Sequence, residues 1–133
     1  MKSLKTIIVL SLAVVMTLNF SLLAKGNNSN NNLENSEKTL LSAIESTNLG
    51  LSVSSIQILG ELNSNKAVLP LMKILHNSKN EESRIAASLS LYKIGDKRGI
   101  FALKMAAKYD NSERVRKMCS NFYAQYNLQN KIT

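Results

Sequence analysis

The chain has 133 residues, a formal net charge of +8, one His and one Cys. That length allows a single domain. One His (His76) and one Cys (Cys119) leave no convergent set of groups for acid–base or nucleophilic chemistry, and C-x-x-C, H-x-x-x-H, Gly-rich phosphate-loop and EF-hand spacings are missing, so neither an enzyme nor a cofactor is expected.

The start reads as an export signal. In MKSLKTIIVLSLAVVMTLNFSLLAKG, Lys2 and Lys5 precede an apolar run from Ile7 to Leu18, Asn19 and Ser21 turn the chain slightly polar, and Ala24 offers a small residue for cleavage. Residues 1–24 are therefore expected to be removed, placing the mature chain in a bacterial periplasm or outside the cell. The competing reading is an uncleaved anchor, because roughly 18 residues lie near the lower limit for spanning a bilayer. No Cys stands close behind the apolar run, which argues against a lipid-anchored form. Residues 25–35 open with KGNNSNNN, which has nothing to bury and reads as a flexible Asn-rich linker.

From residue 36 to 133 the apolar residues fall at helical intervals, and no stretch alternates long enough to argue for a strand. The class is all-α. EKTLLSAIEST (37–47) supplies a lone helix. LSVSSIQILGEL (51–62), the turn NSNK and AVLPLMKILH (67–76) form a helix pair, with Pro70 in a first turn because deeper placement costs about 3 kcal/mol. SRIAASLSLYKI (83–94), the turn GDKR and GIFALKMAAKY (99–109) form a second, with Gly95 available for a left-handed backbone. DNSE (110–113) predicts a capping box in which Asp110 accepts from the backbone and Glu113 reaches back. ERVRKMCSNFYAQY then forms a last, unpaired helix.

The two pairs say the same thing 32 residues apart. Val53 aligns with Ile85, Leu59 with Leu91, Val68 with Ile100 and Leu71 with Leu103, and a second shift aligns Arg84 with Arg116 and Ala87 with Cys119. Periods of roughly 20–50 residues mark stacked supersecondary units, here near 51–82, 83–114 and a partial 115–133. ILGELNSNKAVLPLMKIL, SRIAASLSLYKIGDKRGIFALKMAA and ERVRKMC resemble HEAT repeats, especially the short bacterial type first associated with phycobilin lyases. Lys97 stands where that pattern usually has proline, and Asn63-Ser64 replaces Gly-Asp. The resemblance implies a short right-handed α-solenoid of about two and a half helix pairs, the second helix of each pair lining a concave side. Its usual work is protein binding or scaffolding. An accessory role beside a lyase or other modifying enzyme is the alternative it suggests.

Within the second helices, Val68, Leu71 and Leu75 and their equivalents Ile100, Leu103 and Ala107 recur as one stripe expected to pack inward. The neighbouring stripe, Leu69, Met72, Lys73 and His76 with Phe101, Lys104, Met105 and Lys108, mixes methionine, an aromatic ring and lysine. Such a mixture suits adaptable contact with a peptide or helix, and the stripe is the expected partner-binding surface. Charge is uneven as well. Residues 25–83 carry five Lys and six Glu, whereas residues 84–133 carry ten Lys or Arg against three acids. Lys97, Arg98, Arg114, Arg116 and Lys117 are expected to form a basic patch facing an acidic protein partner. Nucleic acid becomes the alternative if the chain is not exported, and membrane contact is expected only through the signal segment. Cys119 aligns with a small core residue and is expected to be buried and inert. In the last helix Lys117, Asn121, Gln125 and Gln129 give a polar outer side, which predicts a monomer.

Overall fold

The computed structural model describes residues 26–131. The chain divides into two compact units, Met1–Ser36 and Glu37–Thr133, the second of which holds the repeat. The expected signal peptide lies outside the described residues. Among those residues there are six α-helices and no strand: α1 Gly26–Ala43, α2 Leu49–Glu61, α3 Val68–Asn77, α4 Glu81–Ile94, α5 Lys97–Tyr109 and α6 Glu113–Lys131. A 3₁₀ turn, Asn65–Ala67, precedes α3. No helix among the described residues is long and apolar enough to cross a membrane.

Residues 26–35, expected to be a flexible linker, are instead the opening turns of α1. The expectation that they bury nothing and the observation that they are helical are compatible. Extending a helix costs far less than starting one, and α1 is anchored at its C-terminal part, where Leu40 and Leu41 pack against the core. Ser36 Oγ donates to the Asn32 carbonyl at 2.7 Å along an exposed stretch.

Short polar residues punctuate the rest at a fixed interval. Asn48 accepts the Leu51 N–H, Ser64 that of Ala67, Asn80 that of Ser83, Asp96 that of Arg98 and Ser112 that of Val115, so the helix starts recur every sixteen residues, half the sequence period. Each acceptor satisfies a backbone donor that the first turn leaves without a partner. The first turn reproduces the second with different residues. Gly95 ends α4 with φ 70°, and Asn63, its equivalent, takes φ 51°, a left-handed backbone that asparagine tolerates better than most side chains. The capping box expected at 110–113 is corrected in one respect. Asp110 Oδ1 accepts a backbone N–H as expected, that of Ser112 at 2.8 Å, while also pairing with Arg84, but it is Ser112 Oγ that accepts the Val115 N–H in the first turn of α6.

The core runs through the repeat. Ile56, Leu59, Val68, Leu71, Leu91, Leu103, Val115 and Cys119 are fully buried, joined by Ala67 and Ala87. Of the stripe expected to pack inward, Leu75 and Ile100 are also buried and Ala107 is half-buried. Helix α4 touches α2, α3, α5 and α6, and is the centre of the stack. Its small residues permit that. A Cβ added to Gly60 of α2 would lie 2.6 Å from Ser90 Oγ and 2.8 Å from Ser90 Cα, so the two helices cross almost backbone to backbone. Ser90 Oγ donates to the Ile56 carbonyl at 2.8 Å across that crossing, and Ser52 Oγ donates to the Ile44 carbonyl at 2.7 Å, so these buried hydroxyls are satisfied.

Equivalent positions of successive units are neighbours in the stack, and side chains pair across it accordingly. Lys93 meets Glu61, and Arg114 meets Glu82 at 2.7 Å, each 32 residues away. Tyr92 stacks on Phe122 with ring centroids 5.4 Å apart. The arrangement is a short all-α solenoid.

Candidate functional site

Helices α3 and α5 are equivalent second helices packed side by side, and a groove of about 850 Å³ runs between them. Met72 and His76 line it from α3, and Phe101, Met105 and Tyr109 from α5, with Leu75, Ala102 and Ala106 also in the lining. On α5 the spacing of four residues between Phe101, Met105 and Tyr109 keeps all three on one side of the helix. Leu103, two residues from either neighbour, points the other way and is fully buried. Phe101 is 59% exposed and Tyr109 62%, so large apolar surface is left open along the groove.

One end is built by an ion pair. Arg84 Nε and Nη2 fork the Asp110 carboxylate at 2.9 and 3.0 Å, with the two side chains only 12% and 8% exposed. The remaining edge of the guanidinium holds the carbonyls of Ser78 and Lys79 at 2.9 and 3.4 Å, tying the turn after α3 to the turn after α5. A planar five-donor group is what such a junction requires, and lysine has no equivalent geometry. Arg116, one period on, repeats half of this arrangement, its Nη1 holding the Asp110 and Asn111 carbonyls at 2.7 and 3.2 Å.

Of the eight residues expected on the binding stripe, Met72, His76, Phe101 and Met105 come together in the groove. Leu69, Lys73, Lys104 and Lys108 are exposed but do not line it. Tyr109 escaped the sequence reading, although it completes the four-residue spacing begun by Phe101 and Met105. Lys108 lies over its ring, 5.0 Å from the centroid.

The five residues expected to form a basic patch are not brought together. Lys97 and Arg98 open α5, whereas Arg114, Arg116 and Lys117 open α6, beyond the far end of a helix about 20 Å long. The arginines are also engaged. Arg98 pairs with Asp96 at 2.9 Å, Arg114 with Glu82 and Glu81, and Arg116 with the two carbonyls above. Hydrogen bonding from Arg98 holds the Asp96 carboxyl down at about 2. A hydrogen bond from Ser112 lowers Glu81, and one from Ser64 lowers Glu37. The cations left without a carboxylate among the described residues include Lys97, Lys104, Lys108 and Lys117.

Cys119 is fully buried, and burial pushes its thiol up to about 11 against a smaller opposing contribution from a hydrogen bond with Ser88. A thiol in that state is neither a nucleophile nor a ligand at neutral pH. Among the described residues no three His, Cys, Asp or Glu side chains are placed to hold a metal ion.

No curated protein matches the chain. A family model does, that for HEAT repeats, over residues 37–120, a span that takes in the stacked pairs, the groove between α3 and α5 and the start of α6. The chain belongs to the HEAT repeat family, whose members are generally non-catalytic.

Proposed function

We propose that this protein is a non-catalytic interaction module that acts outside the cytoplasm and holds a segment of a protein partner in the groove between α3 and α5. One observation carries the reading: Met72, Phe101, Met105 and Tyr109 surround an open groove, whereas Val68, Leu71 and Leu103 on the same two helices are fully buried. Flexible thioether side chains can re-pack to fit a docked surface, and enclosed apolar anchors dominate the energetics of such contacts. The polar side of α6, where Lys117, Asn121 and Gln125 are exposed, supports a monomeric module.

Site-specific photo-crosslinking in the native host tests the groove. A crosslinker replacing Phe101 is expected to form a discrete adduct with one partner, whereas one at Gln57, exposed on α2, forms none. Equal adducts at both positions, or none at Phe101, would remove the groove from the function. N-terminal sequencing of the protein from the host tests export: the mature chain is expected to begin at or near Lys25, and an intact Met1 would refute cleavage.

A further inference from the structure

We infer that the segment held in this groove is a short amphipathic helix whose flanks carry acidic side chains. The inference rests on the groove being the binding surface, and it adds the chemistry of the occupant. Three features point to it.

The first is backbone chemistry. The side walls of the groove are helices, whose N–H and C=O groups are bonded internally, the carbonyls of the turn residues at its end are held by Arg84 and Arg116, and no strand edge exists among the described residues. An extended segment placed there would lose water from its backbone and find no ladder to join. A helix brings its own hydrogen bonds, so its backbone keeps its partners on entering.

The second is length. From Phe101 to Tyr109 the α5 wall rises about 12 Å, which matches roughly two turns of a docked helix with apolar anchors at i, i+3 or i+4, and i+7. Met72 faces Phe101 and Met105 across a lining that is mainly apolar between those limits.

The third is charge. Asp110 is the one carboxylate in the lining, and Arg84 neutralises it. Lys79 lines the groove, and Lys104 and Lys108 stand exposed one turn apart beside Met105 and Tyr109, with no carboxylate partner among the described residues. The ammonium of Lys108 sits against the Tyr109 ring, at the rim itself. Lys73 has Glu45 at 3.5 Å, but both side chains are more than two-thirds exposed, so that pairing screens little. A groove with an apolar floor and an uncompensated cationic rim selects an apolar face bordered by carboxylates and repels one bordered by cations.

The test uses the purified protein and two labelled peptides of about fourteen residues, long enough to overhang the groove at both ends. Both carry leucine at i, i+3 and i+7; one has glutamate on its flanks and the other lysine. Fluorescence anisotropy is expected to show the acidic peptide binding at least about tenfold more tightly, with the preference shrinking as salt rises. The Lys104→Glu, Lys108→Glu protein, checked for helicity by circular dichroism, is expected to reverse the ranking. If both peptides bind alike and both are lost on Met72→Gln, Met105→Gln, the acidic occupant is refuted while the groove stands. If neither binds but the protein sediments with phosphatidylglycerol vesicles in a Lys104- and Lys108-dependent way, the rim serves a membrane surface and the inference is overturned. Failure of both peptides without vesicle binding overturns it too, and the Phe101 crosslink then decides the groove by itself.

Discussion

Replacing Gly60 by alanine adds one methyl group, and the structure assigns it a sign opposite to that of the same change ten residues earlier. At Gly60 the new Cβ would meet Ser90 at 2.6 Å (Oγ), 2.7 Å (Cβ) and 2.8 Å (Cα). Rotating Ser90 moves only Oγ, so relief requires α2 and α4 to separate. Overpacking of this kind costs about 1–3 kcal/mol. The Ser90–Ile56 hydrogen bond spans the same crossing, and losing it adds about 1 kcal/mol. Alanine's helix propensity returns about 1 kcal/mol. The net expectation for Gly60→Ala is destabilisation of about 1–3 kcal/mol. Gly50, exposed in the first turn of the same helix, offers its Cβ only the Asn48 Oδ1 at 3.4 Å. Gly50→Ala is therefore expected to stabilise by about 0.4–1 kcal/mol. Urea denaturation followed by circular dichroism measures both. A Gly60→Ala protein as stable as the parent, or the same sign for both variants, would refute the close α2–α4 crossing.

Four further outcomes follow from the packing and the ion pairs. Leu103→Ala is expected to cost about 2–5 kcal/mol and the adjacent Lys104→Ala well under about 1, measured in the same urea assay; equal midpoints would mean the two stripes of α5 are assigned to the wrong sides. Arg84→Met should destabilise by about 2–4 kcal/mol, since it strands a nearly buried carboxylate, and adding Asp110→Ala should cost less than the two single changes together. Asp96 has a folded-state value lowered to about 2 from 3.8, so its contribution is present above the ordinary value and is lost as pH falls from about 4 towards 2. Asp96→Asn keeps a cap but not the charge, and is expected to flatten that part of an acid titration of stability. Cys119 should resist Ellman's reagent in native buffer and react fully in denaturant; labelling of the native protein within the mixing time would contradict its burial.

The helix pairs, the 32-residue period and the inward stripe of α3 and α5 were legible in the sequence, because each depends on local spacing. A helix repeats every 3.6 residues whatever it packs against, and a stacked unit must repeat its core to bury its neighbour's. Two further signals lay in the sequence unused. Asn48, Asn80, Asp96 and Ser112 mark the starts of α2, α4, α5 and α6, Ser64 marks the 3₁₀ turn that leads into α3, and opposite charges one period apart, Glu61 with Lys93 and Glu82 with Arg114, foretell pairs across the stack. Tertiary structure decided which exposed residues share a surface. The helical wheel placed Met72, Lys73, Phe101 and Lys104 on comparable sides, but only the side-by-side packing of α3 and α5 puts Met72 and Phe101 in one groove and leaves the lysines outside it. The basic patch dissolved for a related reason. Arg114 finds carboxylates on α4, and Arg116 holds carbonyls of the preceding turn, while the length of α5 keeps both from Arg98. Periodicity records what a residue's own helix requires of it. A fork such as Arg84 on Asp110, closed between the first turn of α4 and the residue after α5, 26 positions apart, depends on where two helices come to rest, and no spacing within either one encodes that distance.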